Sequence, residues 1–201
     1  METRLEVPSQ SVAAPPQFAR SALRLPLPHV ASVHAGAFRD VLALRIAGDA
    51  PVRLGRTSLA TLLALEAGLT ELLTHQDAVL PDGRVLEALA APESVNGQQA
   101  EDLLLRAAQR RGFTVLCCGE GDEPLLAALR IRRTLPRTAL LGSLRMDGAT
   151  ATAAGRAGLV ARIGDTRPDL LICHARSSGA VRTAVAIASA ASFRHAVFRV
   201  S

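Results

Sequence analysis

The chain is 201 residues long, 49% of them apolar, with a formal charge of +5. That length and apolar share suit one domain with a sizeable core and exclude a disordered chain. The basic residues are all arginine, which reads as scattered solvated guanidinium groups. With aromatics at 2% and neither Trp nor Tyr, platforms for stacking nucleobases are missing, so a nucleic-acid partner is not expected.

Residues 1–28 are rich in Pro, Ser and Gln, including Pro8, Pro15, Pro16, Pro26 and Pro28, and predict a disordered tail, with Leu23–Leu27 as a candidate edge strand. Residues 29–201 carry the domain. His34 to Ile46 has Phe38, Val41, Leu42 and Ile46 at helical spacing, with Gly48-Asp49 as its stop. Pro51–Leu54 reads as a short strand, and Thr57-Ser58 opens a helix with Leu59, Leu62, Leu63, Ala67 and Leu69 on its apolar side. Asp77–Leu80 is a strand leading to Asp82; a helix follows, then a loop with Asn96-Gly97. Gln98–Arg111 is an amphipathic helix that stops at Gly112.

Phe113–Cys118 is a buried strand ending in the turn Gly119-Glu120-Gly121. Asp122 is placed to cap the next helix, with Pro124 in its first turn and its end near Arg133. Thr138–Leu141 predicts a strand closed by Gly142, Ala149–Ile163 a helix, Leu170–Cys173 a strand, Val181–Ala191 a small-residue helix and His195–Val200 a last strand. This alternation with short connections predicts an α/β fold, a parallel sheet with helices on both faces.

In such a sheet ligands bind outside the carboxyl ends of the strands. Asp82 stands at one strand end, where a carboxylate could accept a proton from an attacking hydroxyl; Asp-Gly is also common turn chemistry. Gly119, Gly121 and Asp122 lie between strand and helix, where backbone amides suit phosphate and where an ordinary capped turn would look the same. Asn96-Gly97 offers an amide beside a helix start or simply a cap. His174 and Arg176 follow another strand, suited to phosphate or to a structural role. Cys117, Cys118 and Cys173 lie in apolar strands and read as core residues. No metal-ligand spacing is present. An odd cysteine count, a start Met1-Glu2-Thr3-Arg4 without a signal-peptide core, and the lack of a membrane-length apolar run together predict a cytoplasmic protein.

The order of these segments resembles the WecG/TagA/CpsF glycosyltransferases (glycosyltransferase family 26). The likeness rests on LPDG at Leu80–Gly83, the Asn96-Gly97 loop opening a helix, RGFTVLCCGEGDEP at Arg111–Pro124, LPRTALLGS at Leu135–Ser143 and RPDLLICHA at Arg167–Ala175. It covers about Pro51 to Ala175. The resemblance implies a single Rossmann-like domain that transfers a sugar, with inversion, from a UDP-sugar to a polyprenyl-diphosphate-linked acceptor in bacterial polysaccharide synthesis. It implies no metal or other cofactor, and it allows a peripheral contact with the inner face of the membrane and a homo-oligomer. Asp82 maps onto the family's proposed base, and Gly83, Asn96, Gly97, Gly119, Gly121, Asp122, His174 and Arg176 onto its substrate-binding surroundings. Leu54-Gly55-Arg56 stands where the family has Thr-x-Asn, and Ser177–Ala180 where it has Pro-Lys-Gln-Glu. The alternative is therefore a non-catalytic relative that binds a nucleotide-sugar or a partner protein. In the catalytic reading, Arg176 or Arg56 replaces the lost charge.

Overall fold

The computed structural model describes residues 14–18, 30–64, 67–148, 152–190 and 193–200. Helix α1 (Ala35–Ala47) precedes strand β1 (Val52–Thr57), then come α2 (Leu59–Leu63), α3 (Ala67–Thr74), β2 (Ala78–Pro81), α4 (Arg84–Leu89) and α5 (Gly97–Arg111). The second half alternates strictly: β3 (Thr114–Gly119), α6 (Glu123–Thr134), β4 (Ala139–Arg145), α7 (Ala153–Thr166), β5 (Leu170–Ala175), α8 (Ser178–Ala190) and β6 (His195–Val200). The strands form one all-parallel sheet in the order β2-β1-β6-β5-β3-β4. This is a Rossmann-like α/β domain.

The inner strands β1, β6, β5 and β3 read as almost unbroken apolar runs because helices cover both of their faces. Leu54, Leu80, Val115, Cys117, Ile172 and Val197 pack under α1, α5 and α6. Val79, Leu116, Cys118, Leu171, Cys173 and Phe198 pack under α3, α7 and α8. At about 25 cal/mol per Å² of apolar surface, these two slabs supply the main drive for folding. Local chemistry sets the element ends. Asn96 and Gln99 form a reciprocal capping box at the start of α5, and Gly112, left-handed at φ 67°, ends it.

Several boundaries differ from the sequence expectation. β1 runs on through Arg56 to Thr57 rather than stopping at Leu54. The helix expected after Ser58 is divided into α2 and α3. β4 is not closed by Gly142: the strand takes a bulge there, with Gly142 at φ 139°, and continues to Arg145. Asp122 makes no side-chain cap to α6, although Pro124 does lie in the first turn. Phe18, which falls in the Pro-rich stretch, is buried, stacks on Phe38 at 5.0 Å and carries the Arg45 guanidinium over its ring. Leu23–Leu27 and the first residues of the helix expected from Ala149 lie outside the described residues. Among the described residues no helix is long and apolar enough to cross a membrane.

The topology creates a crevice at the carboxyl edge. β3 and β5 are neighbours, but α6, which follows β3, lies on the α5 face and α8, which follows β5, on the opposite face. Chains diverging from adjacent strand ends leave an opening between them, the usual ligand position of a doubly wound sheet.

Candidate functional site

One register row crosses the sheet at this edge. Leu80 lies beside Arg56, Arg56 beside Arg199, Arg199 beside His174 and His174 beside Gly119. Aligned neighbours share a face, here the one under α5 and α6, and adjacent strands are about 4.8 Å apart. The chain thus sets two guanidinium groups and an imidazole side by side at the carboxyl end of the sheet.

Arg56 is 2% exposed; both terminal nitrogens are engaged, while Nε has no hydrogen-bond partner among the described residues. Its Nη1 donates to Glu101, which is itself wholly buried, while Nη2 donates to Asp82 Oδ2 at 3.0 Å and to Gln98 Oε1 at 3.2 Å. Arg130, reaching down from α6, donates to the other oxygen of Glu101. Two helices are therefore pinned to β1 through one carboxylate. Ion pairs this deep hold only when the charges satisfy each other, because desolvation costs several kcal/mol per ion. The close approach of α5 depends on Gly97: a Cβ there would stand 2.7 Å from Arg56 Cγ.

Asp82 follows β2 and turns back toward this row. Its Oδ2 takes Arg56 and lies 3.6 Å from Arg199 Nε. Oδ1 accepts no hydrogen bond among the described residues, and the side chain is one-fifth exposed. His174 is 5% exposed, with Nδ1 3.6 Å from Glu123 Oε2 and Nε2 without a hydrogen-bond partner among the described residues. Burial lowers its pKa below the ordinary imidazole value; Arg199 and Arg56 push the same way, against Glu101 and Glu123.

The other residues expected at a site fall into distinct roles. Gly83, at φ 89°, provides the turn after Asp82, and its amide donates to Glu87. Asn96 spends its side chain on the cap of α5. A Cβ on Gly119 would meet the His174 carbonyl at 2.9 Å, so glycine there lets β3 and the start of α6 lie close to β5. The Gly121 amide donates to both carboxylate oxygens of Asp147. Asp122 is exposed, 3.8 Å from Arg145. Arg176 is exposed and lies 3.7 Å from Glu123. Asp82, His174 and Arg176 thus meet at one edge, while Asn96 and Gly97 serve helix placement.

Sequence reading missed Glu120, Glu101 and Arg199. Glu120 lies across the crevice, where its carboxylate accepts from the backbone amides of Arg176 and Ser177 at 2.8 and 2.9 Å and from the Ser177 hydroxyl. It thereby occupies the amino end of α8 with an internal anion. Beside it, on the α8 face, a pocket of about 260 Å³ is lined by Ser58, Thr61, Leu69, Ser177, Val181 and Val200, among others.

The cysteines take no part in this edge chemistry. Burial holds the Cys117 thiol up at about 12, and a hydrogen bond to Cys173 together with burial raises Cys118, so neither offers a thiolate. Among the described residues no group of His, Cys, Asp and Glu is placed to hold a metal ion. No family model and no curated protein matches this chain.

Proposed function

We propose that this chain is a diverged glycosyltransferase of the WecG/TagA/CpsF type, moving a sugar from a UDP-sugar to a lipid-linked acceptor at the inner face of the membrane. The observation that carries this reading is Asp82: a carboxylate at the carboxyl edge, oriented through Oδ2 by two arginines and open through Oδ1. In the reaction the acceptor hydroxyl attacks the anomeric carbon, and the bond from that carbon to the diphosphate oxygen breaks. UDP departs, and Asp82 Oδ1 takes the hydroxyl proton. A positioned base of this kind contributes about 10²–10⁴-fold in rate. Asp82→Asn therefore drops turnover at least a hundredfold in an assay with a lipid-linked acceptor; undiminished transfer by that variant rejects the assignment.

A second reading has its own observation. The amides that would greet a donor diphosphate, those of Gly121, Arg176 and Ser177, already carry Asp147 and Glu120. This favours a relative that keeps the fold and binds without transferring. Calorimetric titration with UDP, UDP-N-acetylmannosamine and UDP-glucose, with ATP as control, separates the two. Selective UDP binding with turnover supports the transferase, selective binding without turnover supports a nucleotide-sugar-binding module, and no binding rejects both and leaves the partner-protein form of the second reading.

A further inference from the structure

In a doubly wound sheet the usual seat for an anion is a helix amino end at the crevice. Here Glu120 accepts from the Arg176 and Ser177 amides just before α8, and Asp147 from the Gly121 amide before α6. These internal carboxylates compete with an anionic ligand there, and the edge offers further counter-charge on β6. Around Arg56 two carboxylates, Asp82 and Glu101, face three guanidinium groups, Arg56, Arg130 and Arg199. Arg56 and Arg130 spend their charge on hydrogen bonds to those carboxylates. Arg199 makes no side-chain hydrogen bond among the described residues: the nearest carboxylate oxygen there is 3.6 Å away, and one-third of its side chain is exposed.

The next strand completes the setting. His174 is the register neighbour of Arg199, and Arg176, just past the end of β5, has its guanidinium 3.7 Å from Glu123 and lines the pocket on the α8 face. Arg199 beside His174 and Arg176 beside Glu123 are both charged, and neither is held by a side-chain hydrogen bond among the described residues. Glu123 stands 3.6 Å from His174 and close to Arg176, as a weakly held carboxylate that an incoming anion would displace.

We propose that Arg199, assisted by Arg176, binds the diphosphate of the ligand over the carboxyl end of β6, so that this protein holds its anion on a strand arginine instead of a helix amino end. The inference rests on the transferase reading only for which diphosphate is bound. A nucleoside diphosphate and a polyprenyl diphosphate present the same group, and both would bring two or more negative charges to a planar fork able to donate twice. The pocket of about 260 Å³ beside Val200 gives the uncharged part of the ligand a place on the far side of the same strand.

The test is titration of the full chain with inorganic pyrophosphate, UDP and farnesyl diphosphate, read by calorimetry and by the carbon-bound imidazole protons of the histidines in NMR. Arg199→Gln weakens pyrophosphate binding roughly tenfold or more, the loss of a charge-assisted pair. Arg194→Gln, at the opposite edge, leaves it unchanged. Glu123→Gln tightens it several-fold by removing the competing carboxylate, and this variant keeps the inference testable if Arg199→Gln fails to fold. Bound pyrophosphate raises the titration point of His174, whose charged surroundings are Arg199, Arg56, Glu101 and Glu123. Tighter binding of UDP than of farnesyl diphosphate identifies the donor as the source, and the reverse order identifies the acceptor.

Pyrophosphate binding unaltered in Arg199→Gln, weakened or unchanged in Glu123→Gln, or absent from the parent protein overturns the inference. The two failures remain separate. Arg199-dependent pyrophosphate binding without transfer leaves the inference standing and the transferase reading fallen, whereas transfer untouched by Arg199→Gln does the opposite.

Discussion

At the amino edge of the sheet, polar side chains end mostly on backbone, although Asp77 also holds the buried Arg45 guanidinium at 2.9 Å. Asp77 accepts from the Arg53 amide at 2.7 Å, Asp169 from the Thr114 amide at 2.9 Å, and His195 Nδ1 from the Val52 amide at 3.2 Å. Each closes off the first residues of a strand whose donor would otherwise be buried and unpaired. At the carboxyl edge, Arg56, Glu101, Arg130 and Asp82 end on one another, and Arg199 meets no carboxylate closer than 3.6 Å among the described residues. Polar groups of the first kind finish the fold. Those of the second kind cost desolvation that an apolar filling would avoid, so their retention needs a reason beyond stability.

Breaking the carboxyl cluster has the largest expected effect. Glu101→Leu removes the one carboxylate shared by Arg56 and Arg130 and leaves a buried guanidinium short of a partner, which costs about 3–5 kcal/mol of stability in urea unfolding. Replacing Glu101, Arg56 and Arg130 together with apolar residues of similar volume restores most of that loss. If Glu101→Leu alone unfolds within about 1 kcal/mol of the parent protein, the cluster is dispensable and the contrast between the edges disappears. Gly97→Ala attacks the same cluster by volume alone. Its Cβ would press on Arg56 Cγ from 2.7 Å and shift α5, at a cost of about 1–3 kcal/mol.

The amino edge answers to pH. Burial lowers the His195 pKa to about 4, helped by Arg194, and protonating it would also deny Val52 its acceptor. Unfolded, the same imidazole titrates near 6.5. The unfolded chain therefore binds the proton first, so the stability that His195 contributes is complete above pH 6.5 and is lost as pH falls toward 4. His174, also lowered, adds to the slope in the same direction. His195→Phe keeps the stacking against Phe113 but removes the acceptor, costing about 1–2 kcal/mol at pH 7 and flattening the decline between pH 6.5 and 4. Urea midpoints at three pH values check this; an unchanged slope would mean that another group carries it.

The same contrast separates what the sequence made legible from what it hid. Alternating segments with apolar strands announced a parallel sheet, and Leu80-Pro81-Asp82-Gly83 placed a carboxylate at a strand end. Turn chemistry gave the start and stop of α5. Register and helix docking were not legible, and they decide the site. Arg56 became a buried hub because β1 runs two residues past Leu54, beside β6 and beneath α5. Two signals were present in the chain. Glu101 lies on the apolar stripe of α5 with Leu104, Leu105 and Ala108, at spacings of three, four and seven, which marks a carboxylate destined for burial. Arg199 alternates with Phe198 and Val200 and shares the side of His195 and Val197, so a charge stood where a core residue was due. Glu120 gave no such signal, because its partners come from a strand end 56 residues away.

The smallest expected effect belongs to Arg194, which sharpens the comparison from the other side. Its guanidinium meets Asp49 at 2.7 Å, a shorter contact than Arg199 has with Asp82, but the two side chains are 43% and 62% exposed. In water the Coulomb gain is small and salt screens it, so distance is a poor guide to energy here. Arg194→Ala is expected to shift the unfolding free energy by less than about 1 kcal/mol, and by less still in 0.5 M salt. A loss of 2 kcal/mol or more would show that exposed charge pairs also stabilise this edge, and that burial is not what decides the worth of an ion pair here.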